Sequence, residues 1–134
     1  MEQSRKKILW LCSWYPSKID PFNGDFIQRH ARAAAAFNDI YVIYVAGDNS
    51  GKINKKEKEI RKSDGLTEHL VFFPVSSSFF GKIRAHFKYL FVFKQAIRRY
   101  IVEIGKPDLV HVQVPIKAGL LALWLKKRYR IPFI

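Results

Sequence analysis

Cysteine and methionine each occur once in this 134-residue chain, acidic side chains are outnumbered 24 to 11 by Lys and Arg, and the 7 glycines never gather into a cluster. The lone Cys12 has no partner for an internal disulfide, and no Cys/His group has the spacing of a zinc ligand set, so nothing points to secretion or to a structural metal. The expected setting is reducing and cytoplasmic. No Gly-x-Gly-x-x-Gly follows a strand, which argues against a dinucleotide dehydrogenase or epimerase, and no Gly-Lys-Ser/Thr suggests a P-loop. Apolar runs are short as well. Tyr89 to Phe93 is bounded by Lys88 and Lys94, far below the ~20 apolar residues of a spanning helix. Ile8 to Cys12, after the basic Arg5-Lys6-Lys7, is shorter than a signal-peptide core. Neither an export signal nor a membrane span is expected.

What the chain does have is apolar residues and positive charge. Hydrophobic residues make up 49%, enough for the core of one domain, and the length is short for two. The net charge of +13 implies attraction to an anionic partner, whether nucleic acid, a phospholipid surface or a phosphorylated substrate. A solvated basic surface with no dedicated partner is the plain alternative.

Lys7 to Cys12 is continuously apolar after its first residue, as in a strand buried on both faces. Ser13 to Gly24, with Pro16, Pro21, Asn23 and Gly24, is loop chemistry. A helix is expected next, capped by Asp25 with Gln28 as its capping-box partner, burying Phe26, His30, Ala33 and Phe37 and closing at Asn38-Asp39. Ile40 to Ala46 reads as a second strand. Gly47 to Asp64, rich in Lys and Glu with almost nothing to bury, reads as a mobile surface loop with at most a helical turn. Leu66 to Val75 reads as a third strand. The pattern predicts a long helix over about Phe79 to Ile104, with Ile83, His86, Leu90, Phe93, Ile97, Tyr100 and Ile104 as its buried stripe. Gly105-Lys106-Pro107 stops it. Asp108 to Val112 is another buried strand, Pro115 starts a helix carrying Leu120, Leu121, Leu123, Trp124 and Leu125, and Ile131-Pro132-Phe133-Ile134 begins a further strand.

Strands alternating with helices predict an α/β fold, a Rossmann-like doubly wound parallel sheet with helices on both faces. Such sheets bind ligands beyond the carboxyl ends of their strands. The informative loops are therefore Ser13 to Asp25 and Gln113 to Lys117. In the first, Gly24 just before a helix N-terminus is a place where a phosphate or sugar could approach the backbone, although a glycine that only turns the chain would look the same.

The stretch Trp14-Tyr15-Pro16 through Pro21-Phe22-Asn23-Gly24-Asp25-Phe26, followed by an Ala-rich helix, resembles the opening loop of family 4 glycosyltransferases, which have the two-domain GT-B fold. Lys106-Pro107-Asp108-Leu109-Val110-His111-Val112-Gln113, followed by a helix and Ile131-Pro132-Phe133, resembles that family's fourth strand and its continuation. The resemblance implies that residues 1–134 are the N-terminal, acceptor-side domain of such an enzyme, incomplete at Ile134, with the donor-binding C-terminal domain absent. It implies retaining transfer of a sugar from a nucleotide-diphosphate donor to a glycan or lipid-linked acceptor, with no cofactor beyond that co-substrate and no metal. Pro21, Asn23, Gly24 and Asp25 would form the loop facing donor phosphates and acceptor. Trp14, Tyr15, His111, Gln113 and Lys117 would line the acceptor side of the cleft. Many relatives carry a second histidine where this chain has Gln113, which can hydrogen-bond a hydroxyl but cannot shuttle protons. His111 could equally be a buried strand residue, and Lys117 could face water. No catalytic residue is assigned on this part of the enzyme, and the chain alone is expected not to turn over.

The long helix carries Lys82, Arg84, Lys88, Arg98 and Arg99 beside Phe79, Phe80, Phe87, Tyr89 and Phe91. Such a surface suits an anionic membrane, and a cytoplasmic enzyme held at the inner membrane face is the expectation. A core-facing helix with a solvated basic back is the alternative. A different function class, a non-catalytic basic Rossmann-like module binding nucleic acid or anionic lipid, would show affinity falling steeply with salt. Nucleic acid is disfavoured within it, because the chain has no recognition motif.

Overall fold

The computed structural model describes residues 4–134, except for the side chains of residues 115 and 116. The elements run β1 (Lys7–Cys12), α1 (Asp25–Ala34), β2 (Asp39–Asp48), β3 (Glu57–Ser63), β4 (Leu66–Pro74), α2 (Phe79–Glu103), β5 (Leu109–Gln113) and α3 (Pro115–Tyr129). They build a five-stranded sheet in the order β3-β4-β2-β1-β5. β1, β2, β4 and β5 are mutually parallel, so the chain winds outward from β1 through β2 to β4, then crosses back to place β5 on the other side of β1. The Rossmann-like α/β arrangement expected from the alternating pattern is thus present, with its topological switch between β1 and β5. Beyond β5 the chain turns parallel once more. Val110 N–H donates to Pro132 O at 2.9 Å, Ile134 N–H to Val110 O at 2.9 Å, and Val112 N–H to Ile134 O at 2.8 Å.

Alternation along each strand splits the core in two. Leu9, Leu11, Ile43, Val45, Val71 and Phe73 face α2 and α3, where Phe93, Ile97, Leu121 and Leu125 meet them. Trp10, Cys12, Val42, Tyr44, Leu70 and Phe72 face α1, whose Ile27 and Ala31 close that side. Helices therefore cover both faces. Each fully buried Leu, Ile or Phe among them stabilises the fold by about 1.5–3 kcal/mol.

Several expectations are corrected. Residues 47–64 are not a loop throughout, because β3 pairs antiparallel with β4 along the sheet edge, making the sheet mixed rather than purely parallel. The turn between them is Asp64-Gly65, with Gly65 at φ +71°, a conformation only glycine adopts freely. β3 forms from backbone pairing while Lys58, Ile60, Lys62 and Ser63 stay exposed, so it carries no hydrophobic signature, and its charges protect the edge. α1 is capped by Gly24 rather than Asp25, without any side-chain cap, and Gln28 reaches away to Glu68. Its buried face is Ile27 and Ala31, leaving Phe26 and Phe37 exposed at 44% and 79%. In α2, Phe93, Ile97 and Tyr100 are buried as expected, but Tyr89, Val92 and Ala96 complete the stripe in place of Ile83, His86 and Ile104. α3 buries Ala118, Leu121, Ala122 and Leu125, while Leu120 and Leu123 face outward.

Candidate functional site

The loop leaving β1 is held at both ends. Ser13 N–H donates to Gln113 O at 3.2 Å, and Ser13 Oγ accepts from Ala118 N–H at 3.3 Å, so the end of β1 is tied to the end of β5 and to the first turn of α3. At the other end Gly24 sits at φ +67°, and a Cβ on it would lie 2.9 Å from the Trp14 backbone carbon and 3.0 Å from Tyr15 N. Gly24 therefore serves the loop itself, by letting Trp14 and Tyr15 lie directly on the start of α1. Its absent side chain points at that backbone, while the first-turn amides of α1 have no side-chain cap.

Around this loop the expected site residues separate into three groups. Trp14, half exposed, and Lys117, exposed, meet in a cleft of about 310 Å³ over the ends of β1 and β2, which Ser13, Gly47 and Tyr89 also line. A neighbouring hollow of about 210 Å³ shares Gly47, Tyr89 and Lys117 and adds Lys82 and His86 from α2. Tyr15, expected in the cleft, is instead fully buried on the α1 side, because its phenol donates to Glu68 Oε2 at 2.5 Å. His111 and Gln113 lie on that same side of the sheet, against Trp10, and so are not brought to Lys117. Gln113 Nε2 and His111 Nε2 are 2.9 Å apart, and burial pushes the His111 ring below its ordinary value of 6.5. A neutral ring accepting the amide N–H fits both facts. Of the remaining loop residues, Pro21 is exposed, Asn23 Nδ2 donates to Tyr44 OH at 3.5 Å, and Asp25 pairs with Arg29 at 3.3 Å.

The basic residues of α2 divide in the same way. Lys82 lines the second hollow, and Lys88 Nζ sits 5.4 Å from the Phe73 ring centre. Arg84 is exposed on the outer side, near Phe80, Ile83, Phe87 and Phe91, which share one face by helical spacing and are all exposed. Arg98 and Arg99 stand about 21 Å beyond Arg84 along the helix. Arg98 stacks 5.4 Å from the Trp124 ring centre and Arg99 pairs with Glu103 at 2.8 Å, so neither joins that aromatic face.

Ser13, Gly47, His86 and Tyr89 were not anticipated as site residues. Ser13 follows directly on the end of β1 and Gly47 on the strand expected over Ile40 to Ala46, although β2 in fact runs on to Asp48, and that position would have marked both. Tyr89 carried no such mark, because among so many aromatics only packing shows which points inward. It is 6% exposed, and its hydroxyl has no hydrogen-bond partner among the described residues. Burial raises the phenol's pKa, keeping it a neutral donor. Cys12 is buried and likewise pushed up, which leaves it inert as a nucleophile. Among the described residues no group of three or more His, Cys, Asp or Glu is placed to hold a metal, and no helix is long and apolar enough to cross a membrane.

No protein-family profile matches the chain. It is 27% identical over 139 aligned positions to a Bacillus subtilis (strain 168) protein named "Putative teichuronic acid biosynthesis glycosyltransferase TuaC", the match covering 96% of this chain. The chain spans 35% of the length of that relative. Together with a Rossmann-like sheet whose cleft lies at the strand ends, this similarity supports a glycosyltransferase-like function.

Proposed function

We propose that this chain is the N-terminal, acceptor-side domain of a retaining GT-B glycosyltransferase of family 4. The full enzyme transfers a sugar from a nucleotide-diphosphate donor to a glycan or lipid-linked acceptor in the making of cell-surface polysaccharide. The observation that carries the reading is the cleft formed by Ser13, Trp14 and Lys117 over the ends of β1 and β2, in a chain similar almost end to end to part of a glycosyltransferase. In this reading the cleft orients the acceptor, the donor pocket and bond-making groups belong to a partner domain, and closure between the two excludes water. Gly24 contributes by fixing the loop, and the first-turn amides of α1 face the donor's phosphates.

The outer face of α2 supports a membrane-side location. Phe80 and Phe87 are 77% and 66% exposed, with Arg84 alongside, the composition of a surface that rests on anionic lipid at the inner membrane face. Transfer is tested by offering the full-length protein a panel of nucleotide-diphosphate sugars with lipid-linked and glycan acceptors. Consumption of a donor dependent on one acceptor is the expected result, and failure to consume any donor overturns the proposal. Vesicle flotation tests the location, since Phe80→Ser with Phe87→Ser should release the protein from anionic vesicles.

A further inference from the structure

β3 joins the sheet by backbone pairing at its edge, and α2 packs chiefly over β2, so the α2 face of β4 is left with a groove between helix and edge strand. Its volume is about 340 Å³, the size of a small-molecule site. Val71, Val92 and Ala96 give it an apolar floor. That floor also holds His69, which is only 4% exposed. Tyr41 OH lies 3.2 Å from its Nδ1, and burial keeps the phenol protonated. Nε2 has no partner among the described residues and is not sealed by the packing, so it opens onto the groove. With Tyr41 donating to Nδ1, Nε2 carries the ring proton and is a donor facing an empty space. The charges around it set the sign of the acceptor. Lys58 enters from β3 with no carboxylate partner among the described residues, and Arg99 enters from α2, its Nε on Glu103 at 2.8 Å. Lys56 Nζ donates to Gln95 Oε1 at 2.9 Å, bridging the two walls. The lining carboxylate, Glu57, is neutralised by Lys18 at 2.6 Å.

We infer that this groove is a binding site for a small organic anion, one that carries a phosphate or carboxylate on an apolar body. His69 Nε2–H donates to the anionic oxygens, Lys58 and Arg99 supply charge, and Val71, Val92 and Ala96 receive the apolar part. A neutral ligand leaves the cations unanswered, and a bare inorganic ion leaves the apolar floor uncovered. The groove shares no lining residue with the strand-end cleft. His69 pairs with Ile43 and Phe73 with Gly47, which sets the groove about 13 Å back along the sheet from that cleft. The inference therefore stands whether or not the protein works in sugar transfer.

Calorimetric titration of the protein with phenyl phosphate, benzoate and the neutral benzyl alcohol tests it. The two anions should each bind at one site and compete, and the tighter of them assigns the head group. Benzyl alcohol should bind about tenfold more weakly or worse, for want of a charge-assisted hydrogen bond. His69→Gln should weaken anion binding about tenfold, the scale of one such bond, and Lys58→Gln about threefold, the scale of an exposed ion pair. Lys127→Gln, which removes the same charge from the exposed end of α3, should leave it unchanged. Lys58 is exposed, so its replacement keeps the fold even if His69→Gln does not. Proton NMR supplies a second readout on the unaltered protein. A bound anion favours the charged ring, so His69 should titrate at higher pH with phenyl phosphate than without it, the facing Lys58, Arg99 and Glu103 being the same in both titrations. His111, on the other face of the sheet, should not move. Benzyl alcohol binding as tightly as the anions, affinity that falls equally in Lys127→Gln, no saturable binding of either anion, or an unmoved His69 titration overturns the inference.

Discussion

Tyr15 and Tyr89 are both buried tyrosines at the carboxyl end of the sheet, one on each side of it, and they differ in what their hydroxyls meet. Tyr15 donates to Glu68 Oε2 at 2.5 Å, and Gln28 Nε2 donates to the same oxygen at 2.8 Å, so the loop after β1, helix α1 and strand β4 are joined at one carboxyl group. Tyr89 donates to nothing among the described residues. A buried polar group that is satisfied specifies architecture, because breaking it leaves its partners stranded. One that is unsatisfied lowers stability by the cost of its desolvation. The contrast is one between these two tyrosines rather than between whole faces, since Trp10 Nε1 on the α1 side is also buried without a partner among the described residues.

The comparison can be broken most forcefully at its hub. Glu68→Ala should cost about 3 kcal/mol or more in urea unfolding, since it strands the Tyr15 and Gln28 donors and leaves a cavity. A loss below 1 kcal/mol would mean that the network does not hold the α1 side together. Tyr15→Phe should cost about 1–3 kcal/mol by the same measurement, and the loop between β1 and α1 should then show faster amide exchange. A smaller effect comes from His69, next to Glu68 on β4 but facing α2, with Tyr41 OH 3.2 Å from its Nδ1. Burial, and then the nearby Lys58 and Arg99 cations, hold its pKa below the ordinary 6.5, with Glu103 opposing them. The fold therefore prefers the neutral ring. Its contribution is present above the unfolded value and is lost as pH falls from about 6.5 through the depressed folded value, so unfolding free energy should drop over that window and drop less in His69→Asn. His111, depressed by burial, adds in the same direction. Smallest of all, Tyr89→Phe should leave stability unchanged or raise it by up to about 1 kcal/mol, the opposite sign to the same substitution at Tyr15.

Much of the α/β frame could be read from local composition. β1 and the long α2 fall where apolar runs and helical spacing place them, and β2 and β5 within two residues, because a strand buried on both faces and a helix with an apolar stripe each leave a periodic trace. β3 left none. It pairs through its backbone at an edge, and its one indicator was the Asp64-Gly65 turn ahead of Leu66. The face of α1 was misread because Ala31, Ala33, Ala34 and Ala35 offer little contrast, and Phe26 and Phe37 drew the stripe to the wrong side. Of the site, Trp14 and Lys117 were recognisable from their positions after strand ends, and they do share a cleft. Tyr15, His111 and Gln113 satisfied the same positional rule and still ended on the other side of the sheet, since residues along or just beyond a strand end can turn to either face.

By itself the sequence determined that helices separate most of the strands, that β1, β2, β4 and β5 carry the apolar runs of buried strands, and that one loop must turn at Gly24. These follow from side-chain type and spacing along the chain, which act over a few residues. Only the tertiary structure decided that Tyr15 finds Glu68 53 positions away, that Ser13 meets Ala118 across 105, and that Tyr89 lines the strand-end cleft. Such pairings depend on which elements pack together, and the environment they create is a property of the assembled sheet and helices.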